Sequence, residues 1–295
     1  MPEPRTAAPV QPDFTLASDQ VAAYLRRIGA PQPKQPDAAE LRHLVAAHVQ
    51  TVPFENLDVH ARMPISPTDL PRLYAKVVEN RRGGFCYELN GLFAAVLAAV
   101  GFRVTIVAAR VWGAGAFGPL FDHMALKVAD RAGAAWLVDV GFGRFAGAPL
   151  AWTSRAPQAD RFGQYLLQDV PPGELESSVP SVDVLRDGAP QYRVEDAPRP
   201  RGEFAPTCWY HSTAPASPLT MSLICSRATP TGRVSLAGRR LIVSVDAEGS
   251  EAARRDETEL ANERQVLEAY REHFGIELAE EPHALNPREG APFLA

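Results

Sequence analysis

A cysteine that follows two glycines carries the strongest chemical signal in the sequence. The segment Arg82-Gly83-Gly84-Phe85-Cys86 is predicted to run from a glycine turn into the first turn of a helix. The N–H groups of a first helical turn have no partner within the helix and, with the helix dipole, stabilise a thiolate relative to a thiol. His123 and Asp139 follow downstream. The chain therefore presents a thiol, an imidazole and a carboxylate in that order.

Each of these residues also has a plain structural interpretation. A single cysteine is more often a small buried hydrophobic residue, and we assign that role to Cys208 and Cys225, which are predicted to lie in strand-like surroundings. At Cys86 the glycines favour reactivity, because they would let another backbone or a substrate come close. Asp139 lies in an apolar strand, where a buried carboxylate is costly unless paired, and His123 would supply the partner. Structural roles are assigned to the remaining histidines, which are His43, His48, His60, His211, His273 and His283.

Composition limits the class of protein. The chain has 295 residues, 46% hydrophobic and 22% charged, which is ordinary for a globular protein with two or three packed units. A net charge of -5 and the lack of a Lys/Arg run argue against a nucleic-acid partner. No CxxC or HExxH pattern occurs, so a metal site is not expected.

The N-terminus gives no sign of export. It mixes proline with acidic residues and lacks an apolar core, so residues 1–15 are expected to be a disordered lead and not a signal peptide. No apolar run approaches the roughly 18 residues of a membrane span. Three cysteines are few and odd in number for a disulfide framework. A reducing compartment, the cytoplasm, is therefore predicted, with no membrane partner.

The first third of the chain has helical periodicity. On one predicted helix, Cys86 shares a face with Leu89, Asn90 and Phe93, so the thiol should face whatever that helix contacts. The four predicted helices are residues 19–28 ending at Gly29, a second capped by Asp37 and broken at Pro53, a third opened by residues 66–69, and a fourth from near Cys86 to before Gly101.

After Gly101 the pattern changes to strands. Residues 123–128 and 135–140 are predicted to form an antiparallel hairpin, which would place His123 and Asp139 about 5 Å apart at Cβ if directly opposite. Further predictions are strands at 104–107, 165–170, 191–194, 222–226, 232–236 and 241–245, proline-rich surface connections at 171–190 and 197–206, and a last helix at 259–274.

Taken together, Cys86, His123 and Asp139 resemble the Cys-His-Asp triad of the arylamine N-acetyltransferases. Their spacing does not fit papain-like proteases, whose histidine lies much further downstream. The resemblance covers residues from about 15 to 275, and its matching segments are PFENL at 53–57, RGGFCYELN at 82–90, ARV at 109–111, the His123 strand, VDVGFG at 138–143, STAPAS at 212–217, and Gly232-Arg233.

The resemblance implies an α+β fold in three parts, with a cysteine-protease-like Cys-His-Asp core where the first two parts meet. These parts are a helical bundle with the nucleophile at 16–101, a β-barrel with the histidine and aspartate at 102–206, and an α/β lid with the C-terminal helix at 207–295.

The resemblance also implies a reaction. Cys86 would accept acetyl from acetyl-coenzyme A as a thioester, His123 would keep the thiolate and relay protons, and Asp139 would orient the imidazole. The nitrogen of an arylamine or arylhydrazine, or an N-hydroxy oxygen, would then take the acetyl group in a ping-pong sequence. Acetyl-coenzyme A is thus a co-substrate, and no permanently bound cofactor is expected.

Several further residues receive roles from the resemblance. Phe54, Phe85 and Tyr87 would line the site of a flat acceptor, with ordinary core packing as the alternative. Glu55 would bind Arg82 and fix the glycine turn.

Coenzyme A would contact Gly118, in the loop before the histidine, and Ser217. A flexible connection is the alternative for that loop. Asp122, just before the histidine, departs from the common pattern and is either solvent-facing by strand alternation or able to alter acceptor choice.

Two other functions are weighed against acetyl transfer. One is the amide synthase of polyketide macrolactam formation, which shares the triad and would be distinguished by its pocket. The other is a catalytically silent relative, which the intact Cys86, His123 and Asp139 argue against because such a protein has no chemical need for them.

Overall fold

The computed structural model of the chain describes residues 15–174, 178–246 and 253–288. The predicted disordered lead, 1–15, lies outside this part except for its last residue. The helices are α1 Ser18–Ile28, α2 Ala38–Thr51, α3 Leu57–His60, α4 Leu70–Tyr74, α5 Cys86–Ala99, α6 Ala205–Thr213, α7 Pro218–Met221 and α8 Glu263–Ala269. Single π-helical turns, Ala75–Glu79 and Tyr270–Phe274, extend α4 and α8, and short 3-10 turns lie at Pro172–Glu174 and Arg201–Phe204.

The strands are β1 Phe54–Glu55, β2 Arg103–Gly113, β3 Ala116–Phe117, β4 His123–Ala129, β5 Ala135–Val138, β6 Leu150–Ala151, β7 Gln158–Asp160, β8 Gly163–Asp169, β9 Ser181–Arg186, β10 Ala189–Glu195, β11 Ile224–Thr229, β12 Gly232–Ala237, β13 Arg240–Val245 and β14 Arg254–Glu259. The fold is thus a mixture of helices and antiparallel sheet, as predicted.

The helices of the first third pack around one apolar core. Asp37 caps α2 by accepting from the N–H groups of Ala39 and Glu40, as its residue type predicts, and α1 ends at Gly29 in the left-handed conformation. Helix α5 is buried along nearly its whole length and lies against α1, α4, β2 and β4. This position brings the start of α5 to the barrel strand that begins with His123.

The middle of the chain forms a nearly closed barrel-like sheet. Its strand order is β6-β5-β4-β2-β10-β9-β8-β7, with β3 paired to β2. The two ends approach each other, because the Gln158 side chain on β7 accepts from Ala151 N–H (2.6 Å) and donates to Ala151 O (3.1 Å) on β6. Val107, Leu137 and Tyr192 belong to the apolar interior.

A second sheet joins the first and last thirds of the chain. Its order is β1-β11-β12-β13-β14, and α8 covers one face through Val266 and Tyr270. Asn56, next to β1, donates to Leu219 O (2.9 Å) and Ser222 O (2.7 Å) and accepts from Ile224 N–H (2.9 Å). The helical first third is therefore connected to this sheet by the pairing of β1 and by the hydrogen bonds of the buried Asn56 amide.

Three predictions of local structure were wrong. The segment 171–190, predicted to be a surface connection, contains β9, and Val182 and Val184 point into the barrel. The alternation of apolar and polar residues favours a strand there more than the flanking prolines oppose one. The last helix begins at Glu263, where Asn262 accepts from Gln265 N–H, since the charged run before it pairs with β13 as β14. Cys208 lies in α6 and not in a strand.

Candidate active site

Cys86 is the first residue of α5 and is 6% exposed. Phe85 precedes the helix in an extended conformation, and its N–H donates to Glu88 Oε2 (3.1 Å) in the first turn. That carboxylate satisfies one helix-terminal N–H and fixes the entry into the helix. Cys86 therefore lies at the N-terminus of α5, as the sequence predicts.

The two glycines before Cys86 allow another segment of backbone to pass close to this turn. A Cβ at Gly83 would lie 1.9 Å from Pro53 O, and Glu55 N–H donates to Gly84 O (2.9 Å). Any larger residue at position 83 would push the segment of β1 away. Of the two partners foreseen for this turn, another backbone or a substrate, the structure places the backbone there.

A buried charge cluster supports the same turn. Arg82 Nε donates to Glu55 Oε1 (3.0 Å) and Arg82 Nη2 donates to Asp58 Oδ1 (3.0 Å). Gly83 N–H also donates to Glu55 Oε1 (3.3 Å). Lys76 Nζ lies 2.7 Å from Glu88 Oε1 and 2.9 Å from Asp58 Oδ2. The structure thus brings Glu55 and Arg82 together and adds partners that the sequence did not indicate.

His123 begins β4, and its Nε2 donates to Asp139 Oδ2 (2.6 Å). The predicted hairpin forms, with Leu126 opposite Val138. Continued toward the open end, that register sets Gly141 opposite His123, so Asp139 reaches the imidazole diagonally and not from the directly opposite position. A diagonal pair on one face is within reach of long side chains.

The electrostatics of this pair favour a charged imidazole. Burial acts to lower the pKa of His123, but the Asp139 carboxylate and the Cys86 thiol raise it to about 10. Since Nε2 is occupied by Asp139, Nδ1 is the nitrogen available to the thiol. The raised pKa favours the protonated imidazole at neutral pH.

Asn90 is the functional residue that sequence reasoning left without a role. Its Nδ2 donates to Asp139 Oδ1 (2.8 Å) and to Met124 O (2.7 Å), and its Oδ1 accepts from Val140 N–H (3.0 Å). Asn90 lies one turn after Cys86 on the same face. That spacing was the available signal, and the amide links the helix that begins at Cys86 to both strands of the hairpin.

Aromatic rings surround the imidazole. Phe142 and Tyr192 have ring centroids 5.2 and 5.3 Å from that of His123. Phe54 and Phe142 line a cavity of about 20 Å³ beside Asp139, which has room for about one water molecule. A flat acceptor would therefore require these side chains to move. Phe85 and Tyr87 are fully buried, and their positions fit the alternative of core packing.

The two positions predicted to contact coenzyme A are already engaged. Ser217 is fully buried, and its hydroxyl caps α7 by accepting from Leu219 N–H (3.2 Å). Gly118 N–H donates to Val111 O (2.8 Å), so it is not free to bind phosphate. These placements do not support direct polar contacts from either residue.

Asp122 does not face solvent as strand alternation suggested. Its side chain is 9% exposed, and Oδ1 lies 2.7 Å from His211 Nε2. His211 had been assigned an ordinary structural role, and nothing near it in the sequence indicated this partner.

Neither a metal-ligand cluster nor a membrane-spanning helix occurs in residues 15–174, 178–246 and 253–288. This part of the chain contains no group of three or more His, Cys, Asp or Glu side chains arranged to hold a metal ion. None of its helices has the length and hydropathy of a membrane span.

Comparison with known proteins gives one consistent family. Residues 37–283 match the N-acetyltransferase family model. The arylamine N-acetyltransferase of Mycolicibacterium smegmatis is 35% identical over 265 residues, which are 88% of this chain and 93% of that protein. The crystal structure of the Nocardia farcinica arylamine N-acetyltransferase has a TM-score of 0.77 at 32% identity, covering 92% of this chain and 94% of that one.

A further neighbour is the Mycobacterium marinum arylamine N-acetyltransferase in complex with CoA, with a TM-score of 0.74 at 30% identity, covering 87% of this chain and 92% of that one. The family model and the relatives each span most of the chain and agree with the motifs around Cys86, His123 and Asp139. The chain therefore belongs to the arylamine N-acetyltransferase family of acyltransferases.

Proposed function

We propose that this protein transfers an acetyl group from acetyl-coenzyme A to the nitrogen of arylamines and arylhydrazines, or to an N-hydroxy oxygen, through a thioester on Cys86. The observation that carries the proposal is the buried Cys86, His123 and Asp139 set, with its 2.6 Å imidazole to carboxylate bond and its thiol at a helix N-terminus. The CoA complex of the M. marinum relative supports acetyl-coenzyme A as the donor.

In the first half-reaction the Cys86 thiolate attacks the acetyl carbonyl carbon. A carbon–sulfur bond forms to Cys86, and the bond to the sulfur of coenzyme A breaks. His123 gives its proton to the departing thiolate and becomes neutral, while Asp139 keeps the ring oriented. Because the pKa of His123 is raised to about 10, its imidazolium can supply this proton at neutral pH.

In the second half-reaction the acceptor nitrogen attacks the thioester. His123 removes the proton from that nitrogen, the new carbon–nitrogen bond forms, and Cys86 leaves as a thiolate beside an imidazolium. The enzyme returns to its starting protonation state, so donor and acceptor meet the same thiol in turn, which is ping-pong kinetics.

The low exposure of the thiol suits such an intermediate. Cys86 is 6% exposed, and exclusion of water protects a thioester from hydrolysis. Phe54 and Phe142, which line the cavity beside Asp139, are the proposed contacts of a flat acceptor. The three cysteines are unpaired, which supports a reducing compartment such as the cytoplasm.

Substitution of Cys86 tests the proposal. Incubation with acetyl-coenzyme A should add one acetyl mass to the wild-type protein, on the peptide that contains Cys86, and Cys86→Ser should show no adduct and lose arylamine acetylation by at least about a thousandfold. Cys208→Ser is the matched control, because that thiol is buried in α6 and should leave the adduct intact.

Acetylation of arylamines that persists in Cys86→Ser would reject the thioester mechanism. Failure of the wild-type protein to use acetyl- or propionyl-coenzyme A with any of a panel of arylamines and hydrazines would reject the proposed reaction. The amide synthase alternative is not favoured, because the relatives reported above are arylamine N-acetyltransferases.

A further inference from the structure

A second histidine and carboxylate pair lies beside the first. Asp122 directly precedes His123, and its Oδ1 accepts from Nε2 of His211 on α6 (2.7 Å). Its Oδ2 accepts from Val111 N–H on β2 (3.0 Å). Both side chains of the pair are 9% exposed. One buried carboxylate therefore joins β2, the start of β4 and a helix from the last third of the chain.

The same residue is tied to the neighbour of the nucleophile. The single proton of the Tyr87 hydroxyl is shared between Phe121 O (2.8 Å) and Asp122 O (3.0 Å). Asp122 O belongs to the peptide unit that contains the nitrogen of His123, so this bond fixes the orientation of that peptide. The ring of His211 also lies beside the ring of Tyr87, with centroids 6.3 Å apart.

The chain of contacts ends at a serine that is not a nucleophile. His211 Nδ1 lies 3.1 Å from Ser217 Oγ, which gives the residue composition of a Ser-His-Asp triad. Ser217, however, is fully buried, and its hydroxyl caps α7. A substrate cannot reach such an oxygen, so the set is a support for His211 and not a second active site.

The loop before Asp122 is shaped around its carboxylate. A Cβ at Gly118 would lie 2.1 Å from Asp122 Oδ2, so only glycine leaves space for that oxygen. Phe121 has a φ of 59°, a left-handed conformation that is unfavourable for a bulky residue. Its ring packs against Phe204 at 5.2 Å between centroids. These features hold the carboxylate at the start of β4.

We propose that Asp122 and His211 are positioning residues for the acetyl-transfer reaction, which hold the peptide of His123 so that its imidazole faces the Cys86 thiol. The proposal rests on the proposed function of Cys86 and His123. It links that function to α6, because the bond between Asp122 and His211 spans 89 residues of sequence and makes the last third of the chain part of the catalytic support.

The test measures alkylation of Cys86 by iodoacetamide near pH 6. A free thiol, with a pKa of roughly 8.5, forms little thiolate at that pH. His211→Phe keeps a ring beside Tyr87 but removes the donor to Asp122. We expect its alkylation rate to fall about 10- to 100-fold, because a displaced imidazole no longer maintains the thiolate. His211→Gln places an amide donor near the position of Nε2 and should restore most of the rate.

Two comparisons separate positioning from stability. Asp122→Ala should lower the rate as His211→Phe does, and the double variant should be no slower than either single variant, because both remove the same contact. His48→Phe is the matched control, since it also removes a buried histidine, one that accepts from the Tyr24 hydroxyl away from the site. It should lower the melting temperature and leave the alkylation rate unchanged.

Wild-type alkylation rates in folded His211→Phe would overturn the proposal, and so would an equal loss in His48→Phe or in His211→Gln. If Asp122→Ala does not fold, the two His211 variants decide the question. Acetylation by acetyl-coenzyme A is measured in parallel. A wild-type protein that is alkylated at Cys86 but never acetylated would reject the proposed function, while the comparison of alkylation rates would still test Asp122 and His211.

Discussion

At the scale of single residues, the site depends on polar side chains that have several partners each. Asn90 contacts Asp139, Met124 O and Val140 N–H, and Asp139 also accepts from Gly141 N–H (3.0 Å). A buried carboxylate with this many donors is held in a fixed position. The carboxylate that His123 contacts is therefore supported by residues that do not touch the thiol.

Asn90→Leu tests this support. The substitution keeps the volume of the side chain but leaves Met124 O and Val140 N–H without their partner, so we expect a loss of about 2 to 4 kcal/mol in the free energy of unfolding. The rate of Cys86 acetylation, corrected for the folded fraction, should fall about 10- to 100-fold because Asp139 is released. Urea unfolding and single-turnover mass spectrometry measure the two effects.

Asn56→Leu is the matched control for that variant. Asn56 is also buried and also has three partners, but these are backbone groups of α7, of Ser222 after it and of β11, and they do not belong to the site. It should lose a similar amount of stability and keep its acetylation rate. Equal losses of rate in both variants would mean that the effect of Asn90 is merely structural.

At the scale of elements, the site is a contact between the start of α5 and the end of β5. A Cβ at Gly141 would lie 2.7 Å from Asn90 Nδ2 and 2.7 Å from Cys86 Cα. Only a residue without a side chain allows the chain after Asp139 to pass so close to the helix. This contact brings the carboxylate, the imidazole and the thiol to one place.

Gly141→Ala should therefore separate the two elements. We expect it to cost about 1 to 3 kcal/mol of stability through overpacking, and to slow both alkylation and acetylation of Cys86. Gly202→Ala is the control, because a Cβ there meets no atom within 4 Å, and its change should stay within about 0.5 kcal/mol. Similar behaviour of the two variants would contradict the importance of this close approach.

At the scale of the whole molecule, buried groups make stability depend on pH. His48 is fully buried in the helical core, and burial, with the nearby Arg27 charge, lowers its pKa to about 3. In the unfolded chain a histidine titrates near about 6.5. Its contribution to stability is therefore fully present above that pH and is lost as the pH falls toward the folded value.

Comparison of the wild-type protein with His48→Phe isolates this contribution. Between about pH 4 and 6, the free energy of unfolding of the wild-type protein should fall with decreasing pH more steeply than that of the variant, by up to about 1.4 kcal/mol per pH unit. Chemical unfolding across this range measures both slopes. Parallel slopes would show that His48 is protonated in the folded protein.

The sequence by itself determined what depends on neighbours along the chain. The cap at Asp37, the end of α1 at Gly29, the position of Cys86 at a helix start and the hairpin from His123 each rest on residues a few positions apart, whose conformational preferences are local. Some local patterns were misleading because pairing with another strand overrode them. The last helix, for example, begins later than predicted because the residues before it form β14 and extend the second sheet.

Only the tertiary structure decided which buried polar groups meet. Asn90 and Asp139 are 49 residues apart, and Asp122 and His211 are 89 apart. Such pairs depend on how a helix lies across a sheet and on the register of its strands, which no local preference specifies. A buried polar atom must find a partner, so its presence in an apolar segment predicts that a partner exists, while the packing of the whole chain selects which residue it is.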